Sequence, residues 1–97
     1  MQPDEIAELL GTLIRNRCVN DGSPDSGSEF RSVETLADFF GQRGRLFEPH
    51  PGRQSVLYTV PGTDPKAPRL MLMGHLDVVP AESTGWDHDP FDGGVHD

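Results

Sequence analysis

The sequence is poor in cysteine, in basic residues and in long apolar runs, and each shortage removes a class of protein. Cys18 is the only cysteine, so the chain can form no internal disulfide and no multi-cysteine zinc site. Lys and Arg number 8 against 16 Asp and Glu, which leaves a net charge of −8. A nucleic-acid-binding surface needs a basic footprint, and the sequence has none. An anionic membrane would repel such a chain for the same reason. No apolar run approaches the roughly 20 residues that span a bilayer. Met1 to Glu5 lacks the basic-then-apolar order of a secretory signal. The expectation is a soluble cytoplasmic protein without nucleic-acid or membrane partners.

Apolar residues are also few for a self-sufficient core, at 34 % of 97 residues. That length fits one small domain or part of a larger one. The glycines and prolines concentrate in 20–28, 51–68 and 80–94, which read as loops between ordered elements. Acidity of this size is explained by solubility and gives only weak support to a cation-binding role.

What is present begins with an apolar stripe. Ile6, Leu9, Leu10, Leu13 and Ile14 recur at intervals of three and four, which predicts a helix from Pro3 to about Arg17. Pro3 suits the first turn, and Asp4, Glu5, Arg15 and Arg17 complement the helix dipole. Ser26 with Glu29 three residues on reads as a capping box. It opens a second helix to about Gln42, with Phe30, Val33, Leu36, Ala37 and Phe40 on one face and Gly41 or Gly44 as the stop. The period then shortens. Leu46-Phe47 and Ser55–Val60 are strand candidates separated by Pro51-Gly52. Leu70–Met73, an unbroken apolar run, predicts a strand buried on both faces. Two helices followed by strands predict an α/β fold with a mixed sheet and helices packed on it.

The chemistry sits in Leu70-Met71-Leu72-Met73-Gly74-His75-Leu76-Asp77-Val78-Val79-Pro80. A strand that leads into Gly74 would place His75 at its carboxyl end, where α/β sheets bind ligands, with Gly74 allowing a bend. His-x-Asp has a physical use. A metal takes one ring nitrogen, and the other carries a proton that needs an acceptor. A carboxylate two residues on projects to the same side of an extended chain and supplies it. Such a neutral imidazole suits zinc. Taken alone, His75 and Asp77 also fit an ordinary loop-capping pair, because the pattern is short.

The surrounding residues decide between these readings. Met73-Gly74-His75-Leu76-Asp77-Val78-Val79-Pro80 resembles the Gly-His-x-Asp-Val-Val-Pro signature of the M20 zinc peptidases and deacylases. Trp86-Asp87-His88-Asp89-Pro90-Phe91 resembles that family's Trp-x-x-x-Pro-Phe segment, and Asp92-Gly93-Gly94-Val95-His96-Asp97 follows it. The family includes acetylornithine deacetylase, succinyl-diaminopimelate desuccinylase, aminoacylase and carboxypeptidase G2 types.

The resemblance implies that residues 1–97 are an incomplete amino-terminal portion of a zinc-peptidase-like catalytic domain. The inserted domain that often mediates dimerisation in the family is absent. It implies a zinc-dependent hydrolase of peptide or N-acyl-amino-acid amide bonds. Two Zn2+ ions are expected in the full active site, with Co2+ or Mn2+ as substitutes. His75 would be a metal ligand, with Asp77 as the catalytic residue that orients its ring. Trp86, Pro90 and Phe91 would be packing residues. The other metal ligands and the general base of the family would lie after Asp97, so the chain alone is expected to be inactive. The alternative is a non-catalytic metallopeptidase-like module that binds or regulates a partner.

Other candidates are weaker. Asp87, Asp89 and Asp92-Gly93 superficially resemble a calcium loop, but Phe91 occupies the fifth position and no Glu follows. His50, His88 and His96 read as solvated side chains. Cys18 closes an apolar stripe and reads as buried filler. No Gly-x-Ser-x-Gly elbow and no phosphate-cradling glycine loop is present.

Overall fold

The stripe on the first segment forms the helix it predicts. In the computed structural model, which describes residues 1–97, α1 runs Pro3–Arg15. Glu5 reaches back to accept from the Gln2 backbone N–H at 2.7 Å, satisfying one donor at the helix start. The helix ends before Arg17, whose φ is +51°. Just past its end, the Asn16 amide donates to Ser32 Oγ at 3.1 Å and Thr35 Oγ1 at 2.9 Å. These bonds tie the end of α1 to the second helix.

That helix, α2, runs Phe30–Phe40 and buries Ser32, Val33 and Ala37. Gly41 stops it in the left-handed conformation at φ +68°, where a side chain would cost energy. The expected Ser26–Glu29 capping box does not form. Ser26 Oγ instead donates to the Ser23 carbonyl at 2.8 Å. Glu29, 6 % exposed, accepts from Arg53 Nε at 3.0 Å through both carboxylate oxygens. A buried carboxylate needs a cation more than a helix terminus needs a cap.

Arg53 belongs to the hairpin below α2. β1 (Arg45–His50) and β2 (Arg53–Leu57) pair antiparallel, with Leu46 opposite Val56 and Phe47 opposite Ser55. The register breaks between Phe47 and His50, where a bulge accommodates Pro49. Gly52 makes the turn at φ +81°. Phe40 and Tyr58 close the far end with ring centroids 4.4 Å apart.

The architecture is therefore α/β: two helices, then a sheet, with α2 packed on β2. The sheet itself has two antiparallel strands. Parallel pairing is confined to a single bridge between Val19 and Val78. The expected buried strand at Leu70–Met73 is absent. Leu70, Leu72 and Met73 are each more than 80 % exposed, because the hairpin strands pair with each other and no element of the chain covers this run. The core is small, with Cys18, Val33 and Ala37 as its buried apolar residues. Cys18 is buried, as expected, although it lies past the end of α1 and not on its stripe. No helix is long and apolar enough to cross a membrane.

Candidate metal centre

His75 and Asp77 meet as their spacing requires. His75 Nδ1 lies 2.7 Å from the backbone carbonyl of Asp77 and 3.1 Å from its Oδ1. Both neighbours are acceptors, so the satisfied tautomer carries its proton on Nδ1 and leaves the Nε2 lone pair free. The His75 side chain is 81 % exposed and that of Asp77 30 %. One nitrogen is thus held by the chain while the other faces outward.

The support for this pair differs from the expected strand. Leu70–Met73 provides no sheet, and a side chain at Gly74 would meet no atom within 4 Å. The anchor follows the motif instead. Val78 N donates to Cys18 O at 2.9 Å, and Asn20 N donates to Val78 O at 2.8 Å. This bridge fastens the motif to the loop after α1, beside buried Cys18. Asn20 then completes the site: its Nδ2 donates to Asp77 Oδ2 at 2.8 Å, and its Oδ1 accepts from Gly22 N at 2.9 Å. The Asp77 carboxyl group is held below its ordinary acidity range, first by the Asn20 hydrogen bond and then by His75.

Asn20 escapes a reading of the sequence. It lies in a loop of Asn, Asp, Gly and Ser, and no local pattern links it to a residue 57 positions away.

Aminoacylase-1 of Sus scrofa is 37 % identical over 85 residues, covering 88 % of this chain and 21 % of the relative. Aminoacylase-1 of Homo sapiens is 36 % identical over 84 residues, covering 87 % and 20 %. The N-fatty-acyl-amino acid synthase/hydrolase PM20D1 of Bos taurus is 48 % identical over 42 residues, covering 43 % and 8 %. These relatives are M20 family hydrolases, and the chain is similar to the two aminoacylases over most of its own length. It spans about a fifth of the length of the aminoacylase-1 relatives it matches. No family model and no solved structure matches it.

The second M20-like block is held only in part as packing. Arg17 lies over the Phe91 ring, 4.7 Å from its centroid, and Arg15 Nη1 donates to the carbonyls of Asp92 and Gly93 at 3.4 and 3.3 Å. Trp86 remains 59 % exposed. Two carboxylates of this block each use one oxygen in a turn: Asp89 Oδ1 accepts from Phe91 N at 2.8 Å and Asp92 Oδ1 from Gly94 N at 2.7 Å. His88 and His96 are exposed, as expected, and stack with ring centroids 3.5 Å apart. A hollow of about 350 Å³, open to solvent, is lined by Pro24, Glu29, Pro49, His50, Arg53, Gln54 and Ser55. It includes neither His75 nor Asp77.

Proposed function

We propose that these residues supply the first metal ligand of a zinc-dependent hydrolase that cleaves the amide bond of N-acyl amino acids or small peptides. The observation that carries this reading is the polarity of His75: two acceptors at Nδ1 and a free, exposed Nε2. That donor set fits a divalent ion that takes neutral imidazole. His75 is the ligand, and Asp77 is a positioning residue that fixes the tautomer and raises ring basicity. Asn20 holds Asp77 from the other side. When bound, zinc supplies Lewis acidity toward an amide carbonyl and toward water.

The names of the relatives support the substrate class, since aminoacylases and an N-fatty-acyl-amino acid hydrolase both handle acylated amino acids. The remaining ligands and the general base are assigned to the part of the relatives that this chain does not span, together with the inserted dimerisation domain. A catalytic zinc typically needs three protein ligands, and this site offers one. The 97-residue chain is therefore inactive by itself, and its contribution is to bind and orient.

The test is hydrolysis of an N-acetyl amino acid by a protein extended to the full length of its M20 relatives. The extended protein turns over, its His75→Ala variant does not, and the 97-residue chain does not. Full activity in His75→Ala, or turnover by the short chain, would contradict the reading.

A further inference from the structure

We propose that His88, Asp92 and His96 form a second site for a divalent transition-metal ion, built from two imidazoles and one carboxylate and separate from His75. Each offers a ligand atom, and these atoms lie within 4.8 Å of one another. Ligands around tetrahedral zinc sit about 3.4 Å apart, from metal–ligand distances of about 2.1 Å. All three side chains are solvent-accessible, so small rotamer changes close the difference.

Their arrangement favours a cation. The two rings stack with centroids 3.5 Å apart and an interplanar angle of 10°, so both imidazoles are already gathered beside Asp92. Asp92 is divided between two tasks. Oδ1 accepts from Gly94 N at 2.7 Å, and Oδ2 lies 2.9 Å from His96 Nε2. On binding, His96 takes the tautomer protonated at Nδ1, and the Nε2 lone pair freed from that contact turns to the metal ion. Gly94 leaves room for the exchange, since a Cβ there would sit 3.1 Å from His96 Nε2. The backbone at Asp92 and Gly93, in the middle of the set, is held to α1 by Arg15. Two nitrogens and one oxygen select zinc, cobalt or nickel over magnesium and calcium, which take all-oxygen shells. Water fills the remaining position.

Co2+ is added to the 97-residue chain at micromolar concentration, with zinc as competitor. The expected result is one equivalent bound, visible d–d absorption that zinc abolishes, and selective broadening of the His88 and His96 ring resonances in the unsubstituted chain. His88→Ala and His96→Ala each lose the bound equivalent, and His75→Ala keeps it. No stoichiometric binding, broadening confined to His75, or binding that survives both His88→Ala and His96→Ala would overturn the proposal. The His75 assignment would stand untouched by any loss confined to His88 and His96.

Discussion

Asn20 and Asp77 are joined by a 2.8 Å hydrogen bond from the Asn20 amide to Asp77 Oδ2. This contact makes the loop after α1 part of the candidate metal centre. It also divides labour within Asp77, whose other oxygen and backbone carbonyl both face His75 Nδ1.

That division ranks two substitutions. Asp77→Asn removes the charge that raises imidazole basicity, and in the full-length protein it lowers zinc affinity about 10- to 100-fold, the usual cost of losing an outer partner of a ligating histidine. Asn20→Ala leaves the charge in place, and the Asp77 carbonyl at 2.7 Å still fixes the tautomer. Its effect is smaller, about tenfold or less. Competition titration against a zinc chelator measures both, and an Asn20→Ala loss larger than that of Asp77→Asn would contradict the ranking.

The same contact sets a pH dependence. Asp77 is depressed below the ordinary value of 3.8, with the Asn20 bond as the main cause. A group depressed on folding contributes stability that is fully present above its unfolded value. That contribution is lost as pH falls through the depressed value. The stabilisation is therefore constant near neutrality and disappears only in acid, below about 3.8. Carboxyl carbon shifts of Asp77 follow the titration directly. Asn20→Ala moves the midpoint upward, and an unmoved midpoint would remove Asn20 as the cause.

Gly11 poses a contest between helix propensity and packing. Alanine in mid-helix is favoured over glycine by about 1 kcal/mol. Gly11 is buried against the Gly93 carbonyl oxygen, and a Cβ would overlap it. Gly11→Ala therefore displaces 91–94 while α1 persists. The readouts are loss of the Arg17–Phe91 contact by NMR and unchanged or raised helicity by circular dichroism. An intact contact would show that the backbone can yield there.

How much of this was legible follows from the range of each interaction. The α1 stripe, the Gly41 stop and the Pro51-Gly52 turn depend on neighbours within a few residues, and the sequence displays them. The His75–Asp77 contact is equally local. Glu29 misled because its partner, Arg53, lies 24 positions away, and burial outweighed capping. Leu70–Met73 misled because apolar composition marks a strand that could be buried without supplying the strands to pair with it. Asn20 and the His88–His96 stack were hidden for a related reason: tertiary placement brings them into use, and periodicity carries no trace of it.

The central claim concerns one nitrogen atom. The most direct test is anomalous diffraction at the zinc edge from crystals of the full-length protein. The account predicts a peak about 2.1 Å from His75 Nε2, with Nδ1 still bonded to Asp77. A zinc peak coordinated by other residues, with the His75 ring turned away from it, would contradict the account.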